Sequence, residues 1–145
     1  MIRQIDVALV HKLAEVKTAA FNGPPWNDCW TLPSAEKSLR QSFGNNGFYG
    51  LYIEDAGQVA GYVHGRLELF CDGVHFYMQE LCIAPEFQRR RFGAMLLEEL
   101  KQRLREKGVV KVSLITGNNP SILDFYCNNG FKPLMDVTIL DTEIS

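Results

Sequence analysis

Two amphipathic helices are predicted at the N-terminal end of the chain. In the first, apolar residues recur at helical spacing behind a capping Asp6 and continue to the GPP turn that follows Asn22. Those apolar positions are Val10, Leu13, Ala14 and Phe21. A second helix is predicted to start at Thr31 or Ser34 and to run through Leu39 and Phe43.

Three strands are predicted after the GNNG turn at residues 44–47. FYGLYIED and QVAGYVHGRLELF form a hairpin around the turn at residues 55–57, and Cys71, Asp72 and Gly73 make the next turn. The third strand, HFYMQELCIAP, is apolar on both faces. A strand covered from both sides has this pattern, so it is predicted to be central in the sheet.

The remaining segments alternate between helix and strand. A helix from about Phe92 to Lys107 is predicted to bury Leu96, Leu100 and Leu104, and a strand follows over residues 109–116. Residues 118–129 form a short helix, and FKPLMDVTIL is predicted to form two last strands or a bent hairpin. The predicted order β-α-α-β-β-β-α-β-α-β-β indicates one α/β domain over residues 1–145 with a mixed sheet.

Composition narrows the classes of function. The net charge of −2 and the pI near 5.9 argue against a general nucleic-acid binder. No apolar run approaches the ~20 residues that cross a bilayer, and the N-terminus does not resemble a signal peptide. We therefore expect a cytoplasmic protein that binds neither nucleic acid nor membrane.

The sequence offers no pattern for a metal site or for two common classes of enzyme. Four cysteines are scattered without a CxxC pair or zinc-finger spacing, which indicates reduced thiols and no metal. The three histidines, His11, His64 and His75, are isolated and are predicted to be non-catalytic. Neither GxxxxGK[ST] nor a GxGxxG that opens a βαβ unit occurs.

The segment QRRRFGAMLLEEL, which begins at Gln88, places three arginines where a helix starts. Unpaired N–H groups give a helix start a partial positive charge, so clustered arginines repel it unless an anion lies between them. The segment therefore predicts a phosphate-binding cradle at a strand-to-helix turn.

Glu80 and Tyr126 are the candidates for acid and base chemistry. Glu80 lies in an apolar strand, where burial is expected to raise its carboxyl pKa and suit it to accept a proton. Alternatively, Glu80 pairs with a nearby Arg or Lys or reaches solvent. Tyr126 is placed to turn its hydroxyl toward a cleft and donate a proton, or it is half-buried with its hydroxyl satisfied locally. Asn119 is suited to cap the short helix and to bind a ligand.

ELCIAPEFQRRRFGAMLLEEL together with NNPSILDFYCNNGF resembles the GNAT superfamily of acyl-coenzyme-A-dependent N-acyltransferases. The Q/R-x-x-G-x-G/A signature aligns with residues 88–94, and an N-x6-Y element followed by GF aligns with Asn119, Tyr126, Gly130 and Phe131. The resemblance spans most of the chain. It implies a mixed, mostly antiparallel central sheet flanked by helices.

The resemblance also implies a site. Acetyl-CoA would be the cosubstrate, with its pyrophosphate on the N–H groups of the signature segment and its pantetheine arm beside β-strand residues where the sheet splays. Glu80 would be the base and Tyr126 the acid in acetyl transfer to a primary amine. The cofactor-binding residues so implied are Leu81, Cys82, Ile83, Gln88, Arg89, Arg90, Arg91, Phe92, Gly93, Ala94 and Asn119.

Arg91 departs from the family pattern because it occupies the first glycine of the signature. Its side chain is expected either to grip a phosphate oxygen or to block the cradle. A non-catalytic module that binds or senses acyl-CoA is the alternative to an enzyme. The resemblance also suggests a homodimer.

Acceptor specificity is expected to come from the N-terminal part. FNGPPWNDCW contributes Phe21, Trp26 and Trp30 to a loop that resembles the one overhanging the acceptor cleft, and Tyr77 is a further candidate. The two tryptophans either cover a substrate or plug the edge of the core. The acceptor is expected to be an amine of a small molecule or a peptide.

Overall fold

A computed structural model describes residues 1–144, which form four α-helices and five β-strands. In chain order the elements are β1 Ile2–Gln4, α1 Val10–Phe21, α2 Leu32–Phe43, β2 Phe48–Asp55, β3 Gln58–Phe70, β4 Gly73–Ile83, α3 Phe92–Glu106, β5 Val109–Ser113 and α4 Pro120–Asn128. Single 3₁₀ turns precede α1 and follow β4. The predicted α/β fold class is confirmed, and the predicted order of elements holds as far as α4.

The sheet has the strand order β1-β2-β3-β4-β5. Its first four strands pair antiparallel, and β5 pairs parallel with β4. Parallel neighbours need a crossover connection, which α3 supplies between β4 and β5. The mixed, mostly antiparallel sheet expected from the resemblance is therefore present.

Local signals in the sequence fix the element boundaries. The Asp6 carboxylate accepts from the Ala8 N–H and caps the turn before α1. Thr31 and Ser34 form a capping box at the start of α2, with each side chain bonded to the other residue's backbone N–H. Ala56 and Gly57, with φ of 51° and 79°, make the tight turn between β2 and β3.

Helices cover both faces of the sheet. α1 packs against β3 and β4 and pairs with α2, whereas α3 packs against β2, β3, β4 and β5. The side chains that α3 buries are Leu96, Leu97, Leu100 and Leu104. These leucines and the buried residues of the central strands form the core. Within residues 1–144, no helix is both long enough and apolar enough to cross a membrane.

The tail differs from its prediction. No strand forms in residues 131–144, although two strands or a bent hairpin were expected there. A strand needs a neighbour to satisfy its backbone groups, and Pro133 has no N–H to give. Several apolar side chains of the tail are exposed as a result, among them Met135 at 91% and Leu140 at 87%.

Candidate active site

A β-bulge in β4 decides which side chains face α1. Gly65 pairs with Met78 and His64 pairs with Glu80, so Gln79 is an extra residue without a partner on β3. Because side chains alternate between faces, this insertion shifts the phase of the strand. Glu80 therefore shares a face with its cross-strand neighbour His64. A side chain at Gly65 would collide with the Tyr77 carbonyl oxygen, so the bulge also needs that glycine.

The Glu80 carboxylate is enclosed by three donors from α1 and β3. Lys17 Nζ lies 2.5 Å from Oε2, while His64 Nε2 and the Tyr62 hydroxyl lie 2.8 Å and 3.1 Å from Oε1. The Glu80 and Lys17 side chains are only 16% and 3% exposed. The alternative in which Glu80 pairs with a basic residue is thus the one that the structure shows.

This environment lowers the pKa of Glu80, which corrects the predicted direction. Burial is the largest single influence and raises the pKa. The hydrogen bonds and charges of His64 and Lys17 together outweigh burial and lower the pKa from 4.5 to about 2. Glu80 is therefore ionised throughout the neutral range and is a weaker base than the sequence suggested.

Lys17, like Tyr62 and His64, is a neighbour of Glu80 that was not among the predicted site residues. Besides Glu80, its ammonium lies 3.2 Å from the Ser38 hydroxyl and 4.2 Å from the centroid of the Trp30 ring. Lys17 follows Leu13 and Ala14 by four and three residues on the buried stripe of α1. A lysine in such a stripe is seldom buried unless it is paired, so its position was an available signal.

Cys82 interacts electrostatically with both Glu80 and Tyr126. The Cys82 thiol is fully buried, and burial followed by the Glu80 charge raises its pKa. Tyr126, on α4, packs edge-to-face against Phe125 and Phe131. Burial and then the neighbouring Cys82 raise the pKa of Tyr126 to about 12. Glu80 and Tyr126 therefore both lie close enough to Cys82 to interact with it electrostatically, and Tyr126 keeps its proton at neutral pH.

The sheet opens beside these residues. The parallel pairing of β4 with β5 ends at Tyr77 and Ser113. Leu81, Cys82 and Ile83, the segment predicted to bind the pantetheine arm, consequently have no partner on β5. Unpaired backbone groups on the edge of a strand are available for pairing with an extended ligand.

The predicted cradle has the backbone shape of a glycine-rich loop although it is built from arginines. Arg89 and Arg91 have φ of 63° and 65°, in the left-handed region, and Arg91 is the N-cap of α3. Side chains in this region cost about 1–3 kcal/mol, and such strain concentrates at functional sites. The substitution of Arg91 for the signature glycine has therefore kept the backbone conformation that glycine favours.

The other residues of the cradle have separate contacts. Arg90 bonds to the Asp55 carboxylate at 3.0 Å and stacks over the Phe92 ring at 4.8 Å. Gln88 donates to the Ile83 carbonyl at 3.0 Å. A side chain at Gly93 would press on the Phe125 ring at 3.1 Å, so this glycine allows α4 to pack closely against α3. Ala94 is half-buried in the first turn of α3.

We expect Arg91→Gly to stabilise the protein by about 1 kcal/mol because glycine adopts positive φ without steric cost. Thermal or urea unfolding measures the change. Arg90→Gly is the matched control, since Arg90 is not among the positive-φ residues and should lose stability. Equal losses of stability from the two substitutions would show that the backbone of Arg91 is not strained.

The candidate acceptor residues differ in their packing and exposure. Phe21 and Trp26 pack edge-to-face with ring centroids 5.1 Å apart, and Trp26 remains 40% exposed. Trp30 packs against the core and against Lys17. The exposure of Trp26 is compatible with the alternative in which a tryptophan covers a substrate. The packing of Trp30 is that of the other alternative, a side chain that closes the edge of the core. Tyr77 lies under the guanidinium of Arg66, 4.6 Å from ring centroid to Cζ.

Asn119 performs the capping role predicted for it. Its Oδ1 accepts from the Ser121 and Ile122 N–H groups at 3.0 Å and 3.2 Å at the start of α4. All four cysteines are free of disulfide bonds. Residues 1–144 hold no group of three or more His, Cys, Asp or Glu side chains arranged to bind a metal ion.

Comparison with known structures identifies the fold. A protein from Clostridium difficile 630 described as a possible acetyltransferase superposes with a TM-score of 0.85 at 12% identity, over 100% of this chain and 97% of that one. An aminoglycoside acetyltransferase, meta-AAC0020, from an uncultured soil metagenomic sample has a TM-score of 0.78 at 17% identity over 100% and 96%. An aminoglycoside antibiotic 6'-N-acetyltransferase from Acinetobacter haemolyticus has a TM-score of 0.76 at 12% identity over 100% and 99%.

Sequence comparison identifies the family. The pattern of the Acetyltransferase (GNAT) family matches residues 11–131, and the chain belongs to that family. A curated relative, tRNA(Met) cytidine acetyltransferase TmcA 2 from Saccharolobus solfataricus, is 31% identical over 71 residues. That match covers 49% of this chain and only 9% of the relative, so the chain spans less than a tenth of that protein.

Proposed function

We propose that this protein transfers an acetyl group from acetyl-CoA to a primary amine by direct attack. The observation that supports this best is the grouping of Glu80, Cys82 and Tyr126 where β4 parts from β5, since it brings an ionised carboxylate and a protonated phenol to one gap in the sheet. Membership of an acetyltransferase family supports the same reaction.

The residues present fit acetyl-CoA. Positive φ at Arg89 and Arg91 curves the backbone before α3, as in the nests of N–H groups that bind anions, and the side chains of both arginines are exposed. The unpaired edge of Leu81, Cys82 and Ile83 suits the extended pantetheine arm. We further propose that Arg91 grips a phosphate oxygen. Acetyl-CoA supplies an acetyl group activated as a thioester.

Glu80 has a restricted role as a base. A carboxylate with a pKa of about 2 takes little proton from a free alkylammonium, whose pKa is near 10.4. The amine nitrogen becomes far more acidic once it has attacked, and Glu80 is then able to orient the nitrogen and receive its proton. Tyr126, protonated at neutral pH, donates to the departing thiolate.

The acceptor that we propose is the amine of a small molecule. Structural neighbours named as aminoglycoside acetyltransferases support this class, one of them in complex with sisomicin. Lys17 compensates the charge of Glu80, and Arg66 bonds to Glu68 at 2.5 Å. Both of these carboxylates are therefore already paired with a cation of the protein itself.

The deciding experiment measures release of the CoA thiol from acetyl-CoA with a panel of amines. The panel contains amino acids, peptide N-termini, polyamines and aminoglycosides. We expect release with at least one amine, with a rate that rises with pH toward the pKa of the amine, because Glu80 is already ionised. Product mass raised by one acetyl group identifies the acceptor.

A module that binds acyl-CoA without transferring the acyl group is the second candidate. The contacts of Glu80 favour it, because both carboxylate oxygens already accept from the protein, Oε2 from Lys17 and Oε1 from His64 and Tyr62. In that case CoA at 100 times its dissociation constant stabilises the fold by about 2.7 kcal/mol, yet no amine releases thiol.

A further inference from the structure

The ammonium of Lys17 already occupies the position beside Glu80 that the ammonium of an acceptor would take. Its Nζ lies 2.5 Å from Glu80 Oε2, 3.2 Å from the Ser38 hydroxyl and 4.2 Å from the centroid of the Trp30 ring. Carboxylates and the faces of tryptophan rings are the groups that bind an ammonium in proteins. At Glu80, both kinds of group are engaged by a lysine of the protein itself.

Trp30, the ring beside Lys17, is fixed by its own hydrogen bonds. The Asn22 side chain accepts from the Trp30 N–H at 2.8 Å and donates to the Trp30 carbonyl at 2.9 Å. The indole Nε1–H donates to the Asp28 carboxylate at 3.1 Å. The Lys17 side chain is only 3% exposed. Lys17 is therefore held at Glu80 and is not a surface lysine that moves aside for an incoming amine.

The side chains in contact with Glu80 leave no net charge for a second cation. His64 Nδ1 is buried without a partner, so the neutral ring donates from Nε2, because a protonated ring would bury an unsatisfied N–H. Burial raises the pKa values of the Tyr62 hydroxyl and the Cys82 thiol, so both stay protonated. The charges of Lys17 and Glu80 therefore cancel. A second ammonium would lose its hydration without gaining a net attraction.

One acceptor position on the Glu80 carboxylate remains open. A carboxylate has about four lone-pair positions, and Lys17, His64 and Tyr62 use three of them. The Glu80 side chain is 16% exposed, which leaves this position reachable. An uncharged primary amine donates one N–H to it and keeps the nitrogen lone pair for attack on the thioester. An ammonium has no lone pair to attack with.

We propose that Lys17 makes the site selective for acceptors that bind as the uncharged amine. This inference rests on the proposed acetyl transfer and specifies the class of its acceptor. The preferred class is amines of low basicity, such as the α-amines of amino-acid amides and peptides, whose pKa is about 7.7–8.0. At pH 7 roughly a tenth of such an amine is uncharged, against fewer than about one in 10³ for an alkylamine of pKa near 10.4.

The test measures kcat and KM separately for the amine of the panel that releases the most thiol, over about two pH units below the pKa of that amine. We expect KM for total amine to fall about tenfold per pH unit while kcat stays constant, because only the uncharged fraction binds. A site that binds the ammonium first gives the opposite result. There KM stays constant and kcat rises with pH, because the bound ammonium must still lose its proton.

Lys17→Met frees the charge of Glu80 to bind an ammonium, so the pH dependence should move from KM to kcat. Lys12→Met is the matched control on α1, since Lys12 is exposed, and it should keep the split of the natural chain. Circular dichroism checks that both variants are folded. The measurement on the natural chain needs no variant and decides the proposal even if Lys17→Met does not fold.

Three results would count against the proposal in different ways. A natural chain whose kcat rises with pH at constant KM overturns the selectivity and leaves acetyl transfer standing. A folded Lys17→Met variant with the split of the natural chain shows that Lys17 is not its cause. Release of thiol with no amine of the panel overturns the proposed acetyl transfer and the selectivity together.

Discussion

Tyr126→Phe is expected to lower kcat by about 10²- to 10⁴-fold, the usual effect of removing a general acid. The phenol keeps its proton at neutral pH because burial and Cys82 raise its pKa to about 12. No hydrogen bond from its hydroxyl to another described residue accompanies the ring packing on Phe125 and Phe131. Removing the hydroxyl should therefore leave the fold intact and the affinity for CoA unchanged.

Stopped-flow or steady-state release of thiol measures the loss, and calorimetry with CoA measures binding. Tyr49→Phe is the control, because Tyr49 is a buried tyrosine whose ring packs on Phe76 and under Lys107, away from Glu80. A Tyr126→Phe enzyme that turns over at the natural rate would show that Tyr126 does not protonate the leaving group.

Lys17→Met is expected to destabilise the fold by about 3–5 kcal/mol, as breaking a buried ion pair leaves the other charge uncompensated. Glu80→Gln should destabilise the fold by a similar amount, because it leaves the buried Lys17 ammonium without an opposite charge. The double variant should cost clearly less than the two losses added together, since neither charge is then left alone. Urea unfolding of the four proteins gives the coupling energy.

Lys12→Met is the control on the same helix, because Lys12 is exposed and its loss should change stability by less than about 0.5 kcal/mol. If the effects of the Lys17 and Glu80 substitutions were simply additive, the pair would not be coupled. The 2.5 Å contact between them would then have no energetic consequence.

The same pair sets how stability responds to acid. The folded pKa of Glu80, about 2, lies below its ordinary value of 4.5, so the stabilisation is complete above pH 4.5 and is lost as the pH falls toward 2. In Lys17→Met the pKa of Glu80 rises, because the Lys17 charge no longer opposes the effect of burial. The loss of stability on acidification then begins at a higher pH.

Much of the fold could be predicted from periodicity and turn chemistry. The capping box at Thr31, the turn at Ala56 and Gly57 and the leucine stripe of α3 each identify an element through local physics, and each formed. The prediction of strands in the tail, residues 131–144, was wrong for a different reason. Its alternating pattern is that of a strand, but a strand also requires a neighbour, and periodicity does not say whether the same chain supplies one.

The candidate site could be predicted only in part. The catalytic roles of Glu80 and Tyr126 remain predictions, whereas the predicted direction of the Glu80 pKa shift was wrong. That direction depends on Lys17, which is 63 positions away, and on a bulge that turns His64 and Glu80 to the same face. The apolar stripe of α1 marks Lys17 as a buried lysine that needs a partner, but it does not identify Glu80 as that partner.

The extra residue at Gln79 divides β4 into two halves with different neighbours. Before it, β4 supplies Phe76 and Met78 to one face of the sheet, and after it the same strand supplies Glu80 and Cys82 to the other. A substitution at Met78 is therefore felt on the opposite side of the sheet from Glu80, although only the extra residue separates the two positions along the chain.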